Sequence, residues 1–146
     1  MKLSAIALLL SLFVTLAACG GGSHPGNING NWTATLTNPN GDTAFSFTTS
    51  FVQGSGSNLN IVSFQFTTAG SCFSSPTNET GSFSLGGDFN GNVTGQFGMT
   101  ISTMFPSNNN VLTLQGAVSG NTITGTWTLT GVPGCTGNGT FSMTHS

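Results

Sequence analysis

The feature that most constrains this chain is an alternation of apolar and polar residues with a period of two, repeated eight times. Trp32, Ala34 and Leu36 share one parity, with Thr33 and Thr35 between them; Phe45, Phe47 and Phe51 make a second set, and Val62, Phe64 and Phe66 a third. Phe83 and Leu85 follow, then Val93, Phe97, Met99 and Ile101, then Leu112, Leu114 and Val118. Ile123, Trp127 and Leu129 alternate with Thr122, Thr124, Thr126, Thr128 and Thr130, and Phe141 and Met143 close the series. Side chains two apart lie on one face of a strand, so each run is a strand with an apolar face and a hydroxyl face. β-Branched Thr suits a pleated, solvated surface.

Turn residues separate these runs. Asn38-Pro39-Asn40-Gly41-Asp42 links the first two, Gly54-Ser55-Gly56-Ser57-Asn58 the next two, and Ser119-Gly120-Asn121 makes a tight hairpin between the sixth and seventh. Gly91-Asn92-Val93-Thr94-Gly95 echoes Gly120-Asn121-Thr122-Ile123-Thr124-Gly125, which suggests repeated hairpin construction. Eight strands with short links make an antiparallel meander. An even count lets the last strand pair with the first, closing a barrel and removing both edges. The expected fold is therefore all-β: an eight-stranded antiparallel meander closing into a barrel over residues 30–146. A two-sheet β-sandwich is the alternative.

Closure matters because charge is scarce. The chain has one Lys or Arg, which is Lys2, and its acids are Asp42, Glu79 and Asp88. Binding to nucleic acid needs cations to neutralise phosphate, so that class of partner is excluded for residues 30–146. Disorder is disfavoured as well, because disordered segments are poor in aromatics and this chain has 12 Phe.

The first 18 residues carry a different signal. Lys2 precedes an apolar run that is too short for the roughly 20 residues of a spanning helix but suits an export signal. Leu16-Ala17-Ala18-Cys19 resembles the lipobox of bacterial lipoproteins. That resemblance implies cleavage before Cys19, acylation of Cys19 with palmitate-type chains, and a membrane as partner. Two or three acyl chains anchor stably. Gly20, not Asp, follows the cysteine, which resembles lipoproteins passed on to the outer membrane of the cell envelope. Residues 19–29 read as the lipidated cysteine and a flexible tether.

An isolated cysteine pair in an exported chain favours a disulfide, here Cys72–Cys135, with two buried thiols as the alternative. In a meander both cysteines fall in connectors at the same end, 3–4 and 7–8, as a bridge requires. It would tie a flap over the barrel mouth, at the end away from the tether. Gly30-Asn31-Trp32 also resembles the Gly-x-Trp opening of lipocalins and other calycins, eight-stranded barrels that hold small apolar ligands. Lipocalins set an Arg against that Trp, and no Arg is present here. Residues 123–127 are similar to an avidin strand without its polar biotin set, and the whole chain resembles small Gly/Thr-rich bacterial lipoproteins.

Chemistry is sparse. His24 and His145 fall in the tether and at the C-terminus, where mobility is expected, so a triad with a core serine is disfavoured. Asp42 and Glu79 are expected in connectors at one end, and are the candidate carboxylates of a weak hydrolase; solvated loop acids are the plainer reading. Asn40 and Asp42 could offer oxygens to calcium, but a turn explains them as well. No metal, cofactor or catalytic residue is expected. Phe73 and Phe105, in connectors that the alternating core does not need, are candidate ligand contacts alongside Asp42 and Glu79. The expected function is a membrane-anchored, non-enzymatic envelope lipoprotein. It would be a binding or structural module for a neutral partner, either a glycan or a small apolar molecule. The alternatives are the weak hydrolase and a passive surface-coat protein.

Overall fold

The computed structural model describes residues 27–104 and 109–146; the expected export signal, Cys19, His24 and Phe105 lie outside the described residues. Eight strands follow in order: β1 (Gly30–Thr37), β2 (Thr43–Gln53), β3 (Asn58–Thr68), β4 (Thr77–Phe89), β5 (Asn92–Thr103), β6 (Val111–Ser119), β7 (Thr122–Thr130) and β8 (Gly137–His145). Each pairs with its sequence neighbours, and β1 pairs antiparallel with β8, closing the barrel. The sandwich alternative is therefore not the fold. At β4–β5 the turn is Asn90-Gly91, with φ of 52° and 81°. Two positive φ values match the twist of the flanking strands, which is why Asn-Gly is favoured there.

The alternation works as hydrophobic burial requires. Trp32, Leu36, Phe47, Phe51, Met99, Ile101, Leu112, Leu114, Ile123, Trp127 and Met143 all turn inward and are buried. Each contributes roughly 1.5–3 kcal/mol relative to exposure, offset by the entropy of ordering the chain. Side chains fill the interior. Inward glycines make room for rings: a Cβ at Gly95 would collide with Phe83, one at Gly116 with Phe141, and one at Gly139 with Trp127. The outward positions carry mostly hydroxyls, the reverse of the apolar outer band of a membrane barrel.

Two apolar residues depart from the expected inward set. Val62 is 65% exposed and Leu85 42%. Ser50 pairs with Ser63 but Phe51 with Ile61, so Val62 is an extra residue that bulges out. The bulge switches parity, and Leu59 and Ile61 turn inward before it, Phe64 and Phe66 after it. Leu85 lies where the β4–β5 hairpin projects past the start of β3, which begins opposite Ser82. No neighbouring strand roofs it there. Residues 28 and 29, expected within the flexible tether of residues 19–29, are instead held to the barrel. Ile28 is 2% exposed in the core, and its carbonyl accepts the Trp32 indole N–H at 2.9 Å.

One seam of the barrel is weakly joined. β3 and β4 pair only at Asn58↔Ser82 and Leu59↔Gly81. Beyond those pairs, residues 60–68 and 77–80 have no ladder partner on the sides that face one another. Ile61, Phe64 and Phe66 face inward along this stretch yet are only partly buried.

Candidate functional site

The end of the barrel carrying connectors 1–2, 3–4, 5–6 and 7–8 is closed. Cys72 and Cys135 form a disulfide, with Cα atoms 5.6 Å apart across a sequence separation of 63. The chain-entropy model gives about 4 kcal/mol for closing a loop of that size. The bridge draws connector 69–76 over the opening, and Phe73 goes in as a stopper. Phe73 is 5% exposed, stacked on Phe66 at 5.0 Å and edge-on to Phe45 at 5.8 Å. It caps the core and does not wait for a ligand, because an aromatic ring over an apolar mouth gains more by burial than by exposure.

Asn110 holds the cap from beneath. It is 2% exposed; its Nδ2 donates to the Cys72 carbonyl at 2.8 Å, and its Oδ1 accepts from Val132 N–H at 3.0 Å. Its own N–H donates to Thr103 Oγ1 at 3.2 Å. One amide thus ties together three connectors. Nothing in the sequence distinguishes it from its neighbouring asparagines, since a run of Asn reads only as loop.

The two acids expected in connectors are not brought together. Asp42 sits exposed in the 38–42 turn, its backbone N–H donating to Asn38 Oδ1 at 3.1 Å. Glu79 is not in a connector: it belongs to β4, on the inward parity, paired with Ile101 and accepting a hydrogen bond from Thr77 Oγ1. It lines a cleft of about 350 Å³ with Leu59, Ile61 and Thr80, and Asp42 is not part of that lining. Among the described residues no three His, Cys, Asp or Glu side chains converge as a metal site would need.

His145 is also not a mobile terminus. Its ring lies edge-on to Trp32 at 5.0 Å and 88°, and its Nε2 is 3.0 Å from the Asn29 carbonyl. A carbonyl only accepts, so Nε2 carries the proton in that bond. The imidazole is a clasp at the end opposite the disulfide, holding residue 29 to the last strand.

A cleft larger than the one beside Glu79 lies on the outer wall where β7, β8 and β1 meet. β1 pairs with β8 only as far as Thr37↔Thr140, while β8 continues beside β7 to Gly137↔Leu129. The chain turns away at Asn38 and leaves that stretch of β8 uncovered. The resulting crevice, about 550 Å³, is floored by Gly139 and the buried Trp127. It is walled by Asn38 and Pro39 on one side and by Thr126, Thr128, Asn138 and Thr140 on the other. Trp127 is fixed by its Nε1–H, which donates to the Thr37 carbonyl at 3.1 Å, and by Phe45 edge-on at 5.6 Å. No ionisable side chain lines the crevice; it offers hydroxyls, amides and a proline ring over the buried Trp127. Sequence reasoning recognises Trp127 as a core residue but misses the crevice, which exists because two strands end at different heights. Compared with known proteins, the chain matches no family model, no curated protein and no solved structure.

Proposed function

We propose that this chain is an exported lipoprotein, anchored through Cys19 to the envelope membrane, whose barrel is a non-enzymatic module for a neutral partner. The observation that carries the reading is the uncharged crevice over Trp127, about 550 Å³ and lined by hydroxyl and amide side chains. Such a lining replaces the hydrogen bonds a sugar makes with water, and the Pro39 ring carbons suit its apolar ring face. A glycan is favoured over a small apolar molecule held inside, because the interior is already occupied by Phe47, Phe51, Leu114 and their neighbours. The hydrolase reading has less support, since the cleft that Glu79 lines does not include Asp42. The scarcity of charge over a hydroxyl-rich exterior favours a passive coat protein as the second reading.

Titration with neutral oligosaccharides, read at the Trp127 indole N–H by NMR, tests the proposal. Saturable shifts at Trp127, Asn38 and Asn138, abolished by Asn138→Ala, are expected. Silence across a panel of neutral glycans would leave the coat reading. Mass spectrometry of the native N-terminus tests the anchor, and an unmodified Cys19 would refute it.

A further inference from the structure

We propose that the β3–β4 seam is a strand-addition site for an extended segment of another polypeptide, one that carries Lys or Arg opposite Glu79. The proposal is independent of the Trp127 crevice, which lies on the far wall. Its first support is the backbone. Strand pairing stops at Leu59↔Gly81, so both seam edges present N–H and C=O groups without a ladder partner. A sheet edge of that kind templates an added strand.

The second support is length. Bulges at Val62 and Thr67 interrupt β3 and leave residues 63–66 as a regular run. Across the seam β4 leaves residues 77–80 without a partner on this side, also four, and the Leu59↔Gly81 register brings their start opposite residues 63 and 64. Bulges at both ends of a short edge oppose indefinite edge-to-edge association while leaving room for one short segment.

The third is the side chains. Phe64 and Phe66 face inward along the seam but remain partly exposed, unlike the buried inward residues of β6 and β7. An added strand would cover them with the apolar residues of its inward face. On that same face lies Glu79, the sole ionisable side chain in its cleft. A cation two residues from an apolar side chain would meet it, because alternate residues share a face.

Charge also selects the occupant. A second copy of this chain has no Lys or Arg among its described residues to set against Glu79, and its described imidazole, His145, is engaged at the opposite end of the barrel. The geometry therefore points to a foreign, cationic segment.

The test uses the full exported chain in detergent micelles and the blocked peptide Val-Thr-Lys-Thr-Val, with a second peptide carrying norleucine for Lys. Amide exchange followed by NMR should show protection rising at residues 63–66 and 77–80, with β6 and β7 unchanged. The norleucine peptide should bind about fivefold more weakly, the upper range for a partly exposed ion pair. Glu79→Gln, which preserves shape, should weaken the Lys peptide by the same factor and leave the norleucine peptide unaffected. Three results would overturn the proposal: no protection at either edge up to millimolar peptide, equal affinity for the two peptides, or a concentration-dependent dimer that protects these amides without peptide. Oligosaccharide shifts at Trp127 are read separately, so failure here and failure of the crevice reading are distinguishable.

Discussion

The wall formed by β5 to β8 and the seam between β3 and β4 are built from the same residue types yet behave differently. Along β6 and β7 nine consecutive pairs run from Val111↔Thr130 to Ser119↔Thr122, and Leu112, Leu114, Ile123 and Trp127 behind them are buried. Along β3 and β4 the ladder is two pairs long, and the inward phenylalanines stay partly open. Backbone pairing and side-chain burial fail together, because a neighbouring strand supplies both hydrogen bonds and the roof over inward residues. A closed barrel is therefore only as tight as its weakest ladder. The rings bridge the difference: Phe64 contacts Phe47 at 5.0 Å, Phe66 stacks on Phe73, and Phe73 meets Phe45, which meets Trp127.

The sharpest way to break this contrast is truncation on each side. Phe47→Ala, a fully buried ring, should cost roughly 3–5 kcal/mol in denaturant unfolding, and Phe64→Ala at the seam markedly less. Equal losses would mean that the seam is as well packed as the wall. Reduction of Cys72–Cys135 comes next. About 2–4 kcal/mol should disappear, visible as a lower urea midpoint, with exchange accelerating first at residues 69–76. Asn110→Ala should cost roughly 1–3 kcal/mol by leaving buried backbone groups unpaired, and its effect should shrink once the disulfide is reduced, because both act on the same connector. The smallest effect belongs to the bulge: Val62→Ser, on a side chain already in water, should change stability by less than about 0.5 kcal/mol. A larger loss would show that Val62 is covered in solution.

Legibility of the sequence followed this same contrast. Where the wall is closed, inward positions are apolar, and the alternation of Ile123, Trp127 and Leu129 with threonine announces the strand. At the start of β4 the inward positions are Thr77, Glu79 and Gly81, which carry no such signal. Glu79 reads as a loop acid for that reason. A strand whose inward side is not buried is under no pressure to be apolar, so alternation cannot reveal it. The bulge at Val62 hides in the same way, because the extra residue is itself apolar and parity switches without a break in composition. Phe73 and His145 look like loop and terminal residues until the connectors and the last strand are seen folded against the core.

The amino-acid sequence alone determined that this chain forms strands, how many, which faces of most of them are apolar, and which end of a meander would hold both cysteines. Those properties depend on neighbours one or two residues apart, and local chemistry suffices for them. Only the tertiary structure decided that β3 and β4 part after two pairs, that Asn110 ties the cap, and that a crevice opens over Trp127. Each of these depends on where strands end relative to one another across the sheet. Relative strand height is set by bulges and ladder register summed around the whole barrel, which no single segment encodes.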